Sequence, residues 1–278
     1  MKIGVLPNLD KRGAADAVEK MGRIFKKMQI DAYLPENVCG TDYKHVNERA
    51  IYEIADIIIT VGGDGTIIRY GKLAAKHGKP VLGVNAGRLG FLANVEPSEL
   101  EQLSKLKTGD YTTEERMMID VVTRENGKET YHQTAINDVV ITSGFMSRII
   151  DIKAFFNTDC VSYRADGLII ATPTGSTAYS LSAGGPIVDP LSESICITPI
   201  CSHALSAKPI LLSKNTVVKF NAFSLKRSDI FMSVDGRRGP VIKPTTDIII
   251  KKSDYNVKML RLNNKTFYKI LSEKFKEK

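Results

Sequence analysis

The first segment whose residues could take part in a reaction is the glycine-rich stretch 62–66, which contains an aspartate and reads Gly-Gly-Asp-Gly-Thr. The apolar run at residues 57–61 predicts a buried strand before it, and a helix is expected after Gly65. Glycines let a backbone turn tightly and approach a ligand, and the N–H groups at the start of a helix suit phosphate. The stretch therefore predicts a phosphate-binding turn, although it is neither a Walker A loop nor a GxGxxG dinucleotide loop.

The unusual feature of this turn is the carboxylate of Asp64. A carboxylate repels bound phosphates unless a metal ion or a transferable proton intervenes. Asp64 is therefore a candidate general base or magnesium-linked residue. The alternative is a turn in which Asp64 only makes local hydrogen bonds.

A second segment, residues 165–186, leads from an apolar strand into a loop dominated by Gly, Ser, Thr and Ala. Such a loop supplies hydroxyl groups, backbone donors and room for a flat ring, and Tyr179 is available to stack or to hydrogen-bond. The stretch contains no Lys or Glu, which favours burial against something over the alternative of a solvated surface loop.

The third segment is the pair Asn137 and Asp138, which stands directly ahead of the apolar residues 139–141. Adjacent acceptors at the entrance of a strand can hold a ribose diol, as acidic residues do in dinucleotide sites. An Asn-Asp pair is also common in simple turns, and that alternative stays open here.

The secondary structure that must position these residues differs between the first hundred residues and the rest of the chain. In the first hundred residues strands are predicted at residues 2–7, 32–34, 56–61 and 80–84. A helix is predicted from the spacing of Val18, Met21, Ile24, Phe25 and Met28, and another is expected to start at a capping box formed by Ser98 and Glu101. This alternation predicts an α/β domain with a parallel sheet.

The second half is rich in strands and turn residues, with Asn126-Gly127 as a hairpin turn. Its strands are predicted at residues 118–123, 129–133, 138–142, 149–156, 167–171, 194–200, 216–220, 230–234 and 247–251. A helix near the C-terminus is expected to pack back onto the first domain. The predicted organisation is an α/β domain over residues 1–108 joined by the helix 265–278, and a β-rich domain over residues 109–264.

Composition narrows the class of protein. The 278 residues are 43% hydrophobic and 25% charged, which excludes extensive disorder, and no run approaches the about 20 apolar residues of a membrane-spanning helix. The N-terminus is expected to be a first strand and not a signal peptide.

The cysteines and the net charge give two further expectations. The four cysteines are expected to be reduced and mostly buried, without a zinc site. The net charge of +8 favours phosphate ligands but leaves nucleic acid and small molecules both open.

Taken together, the three segments resemble the NAD kinase family. Residues 62–66 resemble its GGDG loop, residues 137–138 its Asn-Glu/Asp pair, and residues 166–167 with 172–182 its long glycine-rich motif. Residues 83–92 are also similar to the family. The GGDGT pattern is shared with phosphofructokinases and diacylglycerol-type lipid kinases, whereas the motif from residue 172 onward is specific.

The resemblance implies ATP-dependent phosphorylation of the 2′-hydroxyl of the adenosine ribose of NAD, giving NADP. It also implies an α/β N-terminal domain, a β-rich C-terminal domain, and a homodimer or homotetramer. The reduced cysteines favour a cytoplasmic protein. Neither nucleic acid nor a membrane is an expected partner. A divalent cation, Mg²⁺ first, is the expected cofactor beside ATP.

The resemblance assigns Asp64 as the proton acceptor, which can also help to place the metal, and Asn137 with Asp138 to the adenosine end of NAD. Position 138 is Asp where many members have Glu, and Arg237 stands where the family has Gln. The further residues that the resemblance assigns to NAD binding are Gly65, Arg69, Arg148, Arg164, Asp166, Thr174, Thr177, Ala178, Tyr179, Ser180, Leu181, Ser182 and Arg237.

Two other functions compete with an NAD kinase. A diacylglycerol-type lipid kinase would share the GGDGT loop, but it predicts a membrane-binding apolar patch and no dinucleotide loop. A module that binds NAD or NADP without turnover would keep the loop at residues 172–185, and the presence of Asp64 argues against it.

Overall fold

The computed structural model describes residues 1–87, 90–144, 149–204, 206–224 and 229–276. The chain forms two compact units. One comprises Met1–Arg116 with Val257–Lys278, and the other comprises Met117–Asn256. The domain boundaries expected after residues 108 and 264 stay a prediction.

Most of the described residues lie in strands and helices. The strands are β1 (Lys2–Pro7), β2 (Asp31–Pro35), β3 (Lys44–Val46), β4 (Ile57–Gly62), β5 (Val81–Asn85), β6 (Thr112–Glu125), β7 (Lys128–Ala135), β8 (Asp138–Ser143), β9 (Ile150–Phe156), β10 (Asp159–Ala165), β11 (Gly167–Ala171), β12 (Ser194–Ile200), β13 (Ile210–Ser213), β14 (Val218–Phe223), β15 (Ile230–Val234), β16 (Arg237–Ile242) and β17 (Asp247–Arg261). The helices are α1 (Ala14–Lys27), α2 (Glu48–Ile54), α3 (Asp64–Lys76), α4 (Lys105–Thr108), α5 (Tyr179–Ser182) and α6 (Phe267–Lys276), with short 3-10 helices at Pro97–Ser104 and Thr174–Thr177.

The first unit has a parallel sheet in the order β17-β5-β4-β1-β2-β3, as the alternation of strands and helices predicts. Strand β4 lies in its interior, and all six of its residues are buried. Helix α1 buries the predicted positions Val18, Met21 and Phe25 against the sheet. This arrangement places the Gly-Gly-Asp-Gly-Thr segment at the end of a central, fully buried strand.

The C-terminal helix α6 belongs to the first unit, which confirms that it packs back onto the α/β part of the chain. Ile270 is its buried residue, and the rings of Phe267 and Phe91 lie 5.8 Å apart.

The second unit is antiparallel throughout its described pairings. One sheet has the order β13-β12-β11-β8-β15-β16, and strands β10, β9, β14 and β17 follow one another in the other. Apolar side chains of both sheets form a single core, among them Ile141, Ile170 and Phe220. The β6–β7 hairpin turns at Asn126 and Gly127 with φ of 51° and 78°, as the two-residue turn predicts.

Three expectations from the sequence were wrong in detail. The capping box that opens the helix before α4 is formed by Glu96 and Glu99, and not by Ser98 and Glu101. Because Pro97 occupies the first turn and fixes its own φ, the helix begins one residue earlier. Helix α3 starts at Asp64 itself and not after Gly65.

The cysteines are the third correction, because three of the four are exposed. Cys39, Cys160 and Cys201 lie at the surface, and Cys196 alone is buried. Among the described residues no helix is long and apolar enough to cross a membrane.

Candidate active site

In the first unit the catalytic candidate Asp64 opens helix α3 directly after strand β4. Gly63 precedes it with φ of −100° and ψ of −173°, an extended backbone that carries the chain from strand to helix. Asp64 is half-buried and stands in the first helical turn, where the partial positive charge of the N-terminus stabilises a carboxylate. The strand therefore fixes where the acid sits, and the helix start favours its charge.

The carboxylate of Asp64 is held by the backbone of a distant segment. The N–H of Phe91 donates to Oδ2 at 2.7 Å, and the N–H of Leu92 donates to Oδ1 at 3.0 Å. A carboxylate has about four acceptor positions, and bonds from the described residues use two of them for orientation, which leaves acceptor capacity for a ligand proton or a cation. The group is fixed in direction before any substrate arrives.

Gly90 explains how this segment can come so close. A Cβ atom at this position would overlap Oδ1 of Asp64, so only glycine leaves room for the carboxylate. The sequence pattern at residues 83–92 pointed to the family but not to this contact. Residues 88 and 89 of that pattern lie outside the described residues.

The other two candidates from the α3 region are accessible. Gly65 is exposed, with open space where a side chain would stand. Arg69 is exposed as well, and its guanidinium carbon lies 5.0 Å from the ring centre of Tyr70.

In the second unit three strand ends meet at one edge of the six-stranded sheet. Asp138 at the start of β8 lies opposite Ala171 at the end of β11. Val139 lies opposite Val234, which ends β15. The antiparallel register therefore brings Asn137 and Asp138 beside the loop that follows β11 and the turn that follows β15.

The turn after β15 holds the Asn-Asp pair through Asp235. Oδ1 of Asp235 accepts the N–H groups of Asn137 at 2.8 Å and Asp138 at 3.0 Å, and Oδ2 accepts that of Ile136 at 3.0 Å. The N–H of Asp235 in turn donates to the carbonyl of Asp138 at 2.9 Å. Asp235 was not among the predicted site residues, and its φ of 48° followed by 71° at Gly236 is the turn that aims its side chain.

The loop after β11 holds the same pair from its carbonyl side. The backbone N–H of Thr172 donates to the carbonyl of Asn137 at 2.8 Å, and its hydroxyl donates to the carbonyl of Ile136 at 2.5 Å. A Cβ atom on Gly175 would overlap the Asn137 carbonyl, so the loop packs directly on this peptide. Both faces of the Asn137 backbone are therefore fixed.

Two buried polar atoms at this edge have no hydrogen-bond partner among the described residues. They are Oδ1 of Asn137 and Oγ1 of Thr174. A buried polar atom without a partner costs about 1–3 kcal/mol, so such atoms mark places that a ligand can complete. Asn137 and Thr174 were both predicted to bind NAD. They lie on two segments that the hydrogen bonds of Thr172 and the close contact of Gly175 hold together.

The rest of the glycine-rich loop divides into an inner and an outer part. Ser180 is fully buried, and its hydroxyl lies 2.9 Å from that of Thr198. Tyr179, in contrast, is 48% exposed. Of the other predicted residues, Ser182 is exposed and Thr177, Ala178 and Leu181 are half-buried.

The remaining predicted residues lie elsewhere in the second unit. Arg164 on β10 is exposed, and its carbonyl accepts the N–H of His203 at 2.9 Å. Asp166 is half-buried between β10 and β11, and Arg237 is exposed at the start of β16. Arg148 lies outside the described residues. Which of these residues touch NAD stays a prediction.

A resident metal centre would need several ligating side chains in one place. Within the described part of the chain no group of three or more His, Cys, Asp or Glu residues could hold a metal ion. Mg²⁺ in kinases is bound by one or two carboxylates together with substrate phosphates, so it needs no such group. The carboxylate of Asp64, which accepts two hydrogen bonds from Phe91 and Leu92, fits that type of ligand.

Comparison with known proteins shows the family of the chain. The model of the ATP-NAD kinase N-terminal domain matches residues 8–111, and that of the ATP-NAD kinase C-terminal domain matches residues 136–262. The chain belongs to the NAD kinase family. The NAD kinase of Thermoanaerobacter sp. (strain X514) is 40% identical over 282 residues, covering 100% of this chain and 99% of that protein. The NAD kinase of Natranaerobius thermophilus is 38% identical over 277 residues, covering 98% and 96%.

Solved structures of an NADH kinase and of an NAD kinase share the fold. Yeast NADH kinase complexed with NADH superposes with a TM-score of 0.85 at 21% identity, covering 100% of this chain and 87% of that one. An NAD kinase from Archaeoglobus fulgidus in complex with ATP gives 0.73 at 24% identity, covering 99% and 98%. Since the matched domain models and relatives are NAD kinases, the lipid-kinase and non-catalytic alternatives are left without support.

Proposed function

We propose that this member of the NAD kinase family uses Asp64 as the base that accepts the 2′-hydroxyl proton of the adenosine ribose of NAD. Phosphorylation of NAD with ATP as donor is the activity of the family. In the step, the ribose O–H bond breaks and its proton passes to the carboxylate. The ribose oxygen bonds to the γ-phosphorus as the bond to the β–γ bridging oxygen breaks, and the products are NADP and ADP.

The observation that carries this role is the fixation of the Asp64 carboxylate by two backbone donors. Phosphoryl transfer requires little covalent work from the protein, so catalysis consists mainly of positioning and charge neutralisation. A base held in direction before substrate binding loses no time or entropy in orienting. The free acceptor positions on its oxygens are where the hydroxyl proton would arrive.

For the dinucleotide we propose that the edge around Asn137 is the binding surface for adenosine. The unpartnered Oδ1 of Asn137 and Oγ1 of Thr174 support this, because hydroxyl and amino groups of a nucleoside would satisfy them. Tyr179 has the exposed ring that stacking on a base requires. We assign Arg148, Arg164 and the other predicted residues of the second unit to the same ligand.

We further propose Mg²⁺ as the divalent cation, with Asp64 as the residue that would contact it beside the phosphates of ATP. When bound, Mg²⁺ neutralises the charge that develops on the phosphoryl oxygens. A homodimer or homotetramer is proposed from the family resemblance, and sedimentation of the purified protein would measure its size. We propose the cytoplasm as its location from the reduced cysteines expected from the sequence.

The activity is tested by incubating the purified chain with ATP, Mg²⁺ and NAD and coupling any NADP to an NADP-specific dehydrogenase. NADP is expected to form only with all three present, and EDTA is expected to abolish it. Titration calorimetry with NAD on the same preparation reports binding separately. NAD binding without NADP formation would contradict the proposed function and favour the non-catalytic module.

A further inference from the structure

The end of the last strand touches the segment that orients Asp64. Arg261 is the final residue of β17 and is 6% exposed. Its Nη1 donates to the carbonyl of Leu92 at 3.3 Å. Leu92 therefore uses its N–H for Asp64 and its carbonyl for Arg261, and the two bonds fix the residue from opposite sides.

The guanidinium of Arg261 is itself pinned by an acid. Its Nε and Nη2 both lie 3.1 Å from Oε2 of Glu114, which Arg116 also contacts at 2.6 Å. Burial tends to raise the pKa of Glu114, but the two guanidinium groups outweigh it and hold that pKa below its usual value. With two of its nitrogens on Glu114, Arg261 has a fixed plane, and the fork directs Nη1 at Leu92.

A second attachment lies one and two residues farther on. The backbone N–H of Leu262 donates to Oδ1 of Asn94 at 2.7 Å, and Nδ2 of Asn94 donates to Oδ1 of Asn263 at 2.8 Å. Nδ2 of Asn263 donates to the carbonyl of Asn94 at 2.7 Å. We call residues 261–263 the C-terminal clamp, since they bind the segment 92–94 at both of its ends.

We infer that Arg261 is a positioning residue for Asp64 and acts through the backbone of Leu92. The inference rests on the proposed role of Asp64 as the base. The peptide N–H groups that orient the carboxylate can point at it only while their own segment is held. The last motif residue named from the sequence is Arg237, so this contribution comes from a residue outside the motifs.

The charge-preserving variant Arg261→Lys tests the inference. An ammonium group can stay beside Glu114 but lacks the fork that also reaches the Leu92 carbonyl. Misplacement of a catalytic group by about 1 Å costs up to about 100-fold in rate, so kcat is expected to fall about 10- to 100-fold. The Kd for NAD from calorimetry is expected to stay within about twofold, because the Asn137 edge is untouched.

Lys265→Met is the matched control. Lys265 also belongs to the C-terminal segment and pairs with an acid, Glu99, at 2.8 Å. Its loss weakens the same region without removing a bond to the segment 92–94. Its kcat is expected to stay within about twofold of the parent, and an equal fall in both variants would reduce Arg261 to a residue for stability and overturn the inference.

A double-mutant cycle with Asp64→Asn decides the mechanism. If Arg261 acts through Asp64, Arg261→Lys has no further effect on kcat once Asp64 is changed. If the two losses multiply instead, Arg261 acts independently and the inference fails. A parent-like kcat in Asp64→Asn alone would reject the proposed base, which is a separate result. Should Arg261→Lys not fold, Arg261→Gln, which also lacks the guanidinium fork, replaces it in the same cycle with the same two outcomes.

Discussion

The role of Asp235 gives the prediction that can be worked furthest from the structure. In Asp235→Asn the best orientation keeps the amide oxygen at Oδ1, where it still accepts from Asn137 and Asp138. The amide nitrogen then faces the N–H of Ile136, which loses its acceptor. In Asp235→Ala all three N–H groups lose theirs.

The expected energies follow from these counts. One unsatisfied backbone donor costs about 1–3 kcal/mol, so Asp235→Asn should lower the free energy of unfolding by about 2 kcal/mol. Asp235→Ala should lower it by about 3–5 kcal/mol, less than three full penalties, because Asp235 is half-buried and water can reach part of the site. The firmer prediction is that Asp235→Ala lowers the free energy of unfolding more than Asp235→Asn does.

The same variants should weaken NAD binding, since Asp235 fixes the peptide that carries the unpartnered amide oxygen of Asn137. We expect the Kd for NAD to rise about tenfold in Asp235→Asn, which is about 1.4 kcal/mol. Denaturant unfolding measures stability, and titration calorimetry measures the Kd at a temperature where each variant is folded.

Asp247→Asn serves as the control. Asp247 lies in the same unit, and its carboxylate contacts the side chains of Asn221 at 2.7 Å and Lys219 at 3.7 Å. Unlike Asp235, it does not hold the backbone before β8 in these bonds. It should leave the Kd unchanged. Equal effects of Asp235→Asn and Asp235→Ala on unfolding, or an unchanged Kd in both, would refute the reasoning.

Three further predictions concern the first unit. Asp64→Asn should lower kcat about 10²–10⁴-fold in the coupled assay, the usual contribution of a general base, with calorimetric NAD binding largely retained; an equal loss of binding would make Asp64 a ligand-holding residue. Gly90→Ala should lower kcat at least about tenfold without a change of charge, because the added methyl displaces the Asp64 carboxylate; a parent-like kcat would show that this displacement is harmless. Since the pKa of Glu114 is lowered in the folded chain, its ion pairs stabilise the fold above the ordinary glutamate pKa and this stabilisation is lost as the pH falls below it. Glu114→Gln should therefore remove part of the loss of stability between about pH 5 and pH 3, as followed by thermal unfolding, and a variant as acid-sensitive as the parent would contradict the assignment.

Local patterns carried the prediction of the fold wherever an element is long or strongly periodic. β1, β11, β12 and β15 were predicted with the bounds observed, because each is an apolar run between turn residues. The strands that sequence analysis missed are β3, β10, β13 and β16, and helix α2 was missed as well. β10 and β13 are edge strands with mostly exposed or half-buried residues, so they lack the apolar alternation that predicts a strand.

The residues of the candidate site were predicted only where a motif is contiguous. Asp64 and Asn137 stand in short patterns of glycines and acceptors, and such patterns can be recognised from the neighbouring residues alone. Asp235 stands in a short Asp-Gly turn that resembles a family turn, but neither it nor Arg261 was predicted as a site residue, because their bonds span 97–99 and 169 residues of sequence. Nothing in the neighbourhood of either residue indicates which backbone it will meet.

The sequence by itself therefore determined the long or strongly periodic elements, the family and the chemical types: a carboxylate after a buried strand, an amide and a carboxylate before another, and a hydroxyl-rich loop. The tertiary structure decided which groups orient them. Asp64 takes its direction from Phe91 and Leu92, and Asn137 takes its direction from Asp235 and Thr172. The physical reason is that each of these orienting bonds uses at least one backbone group, which every residue carries, so residue type does not show which partner that group will meet until the chain is folded.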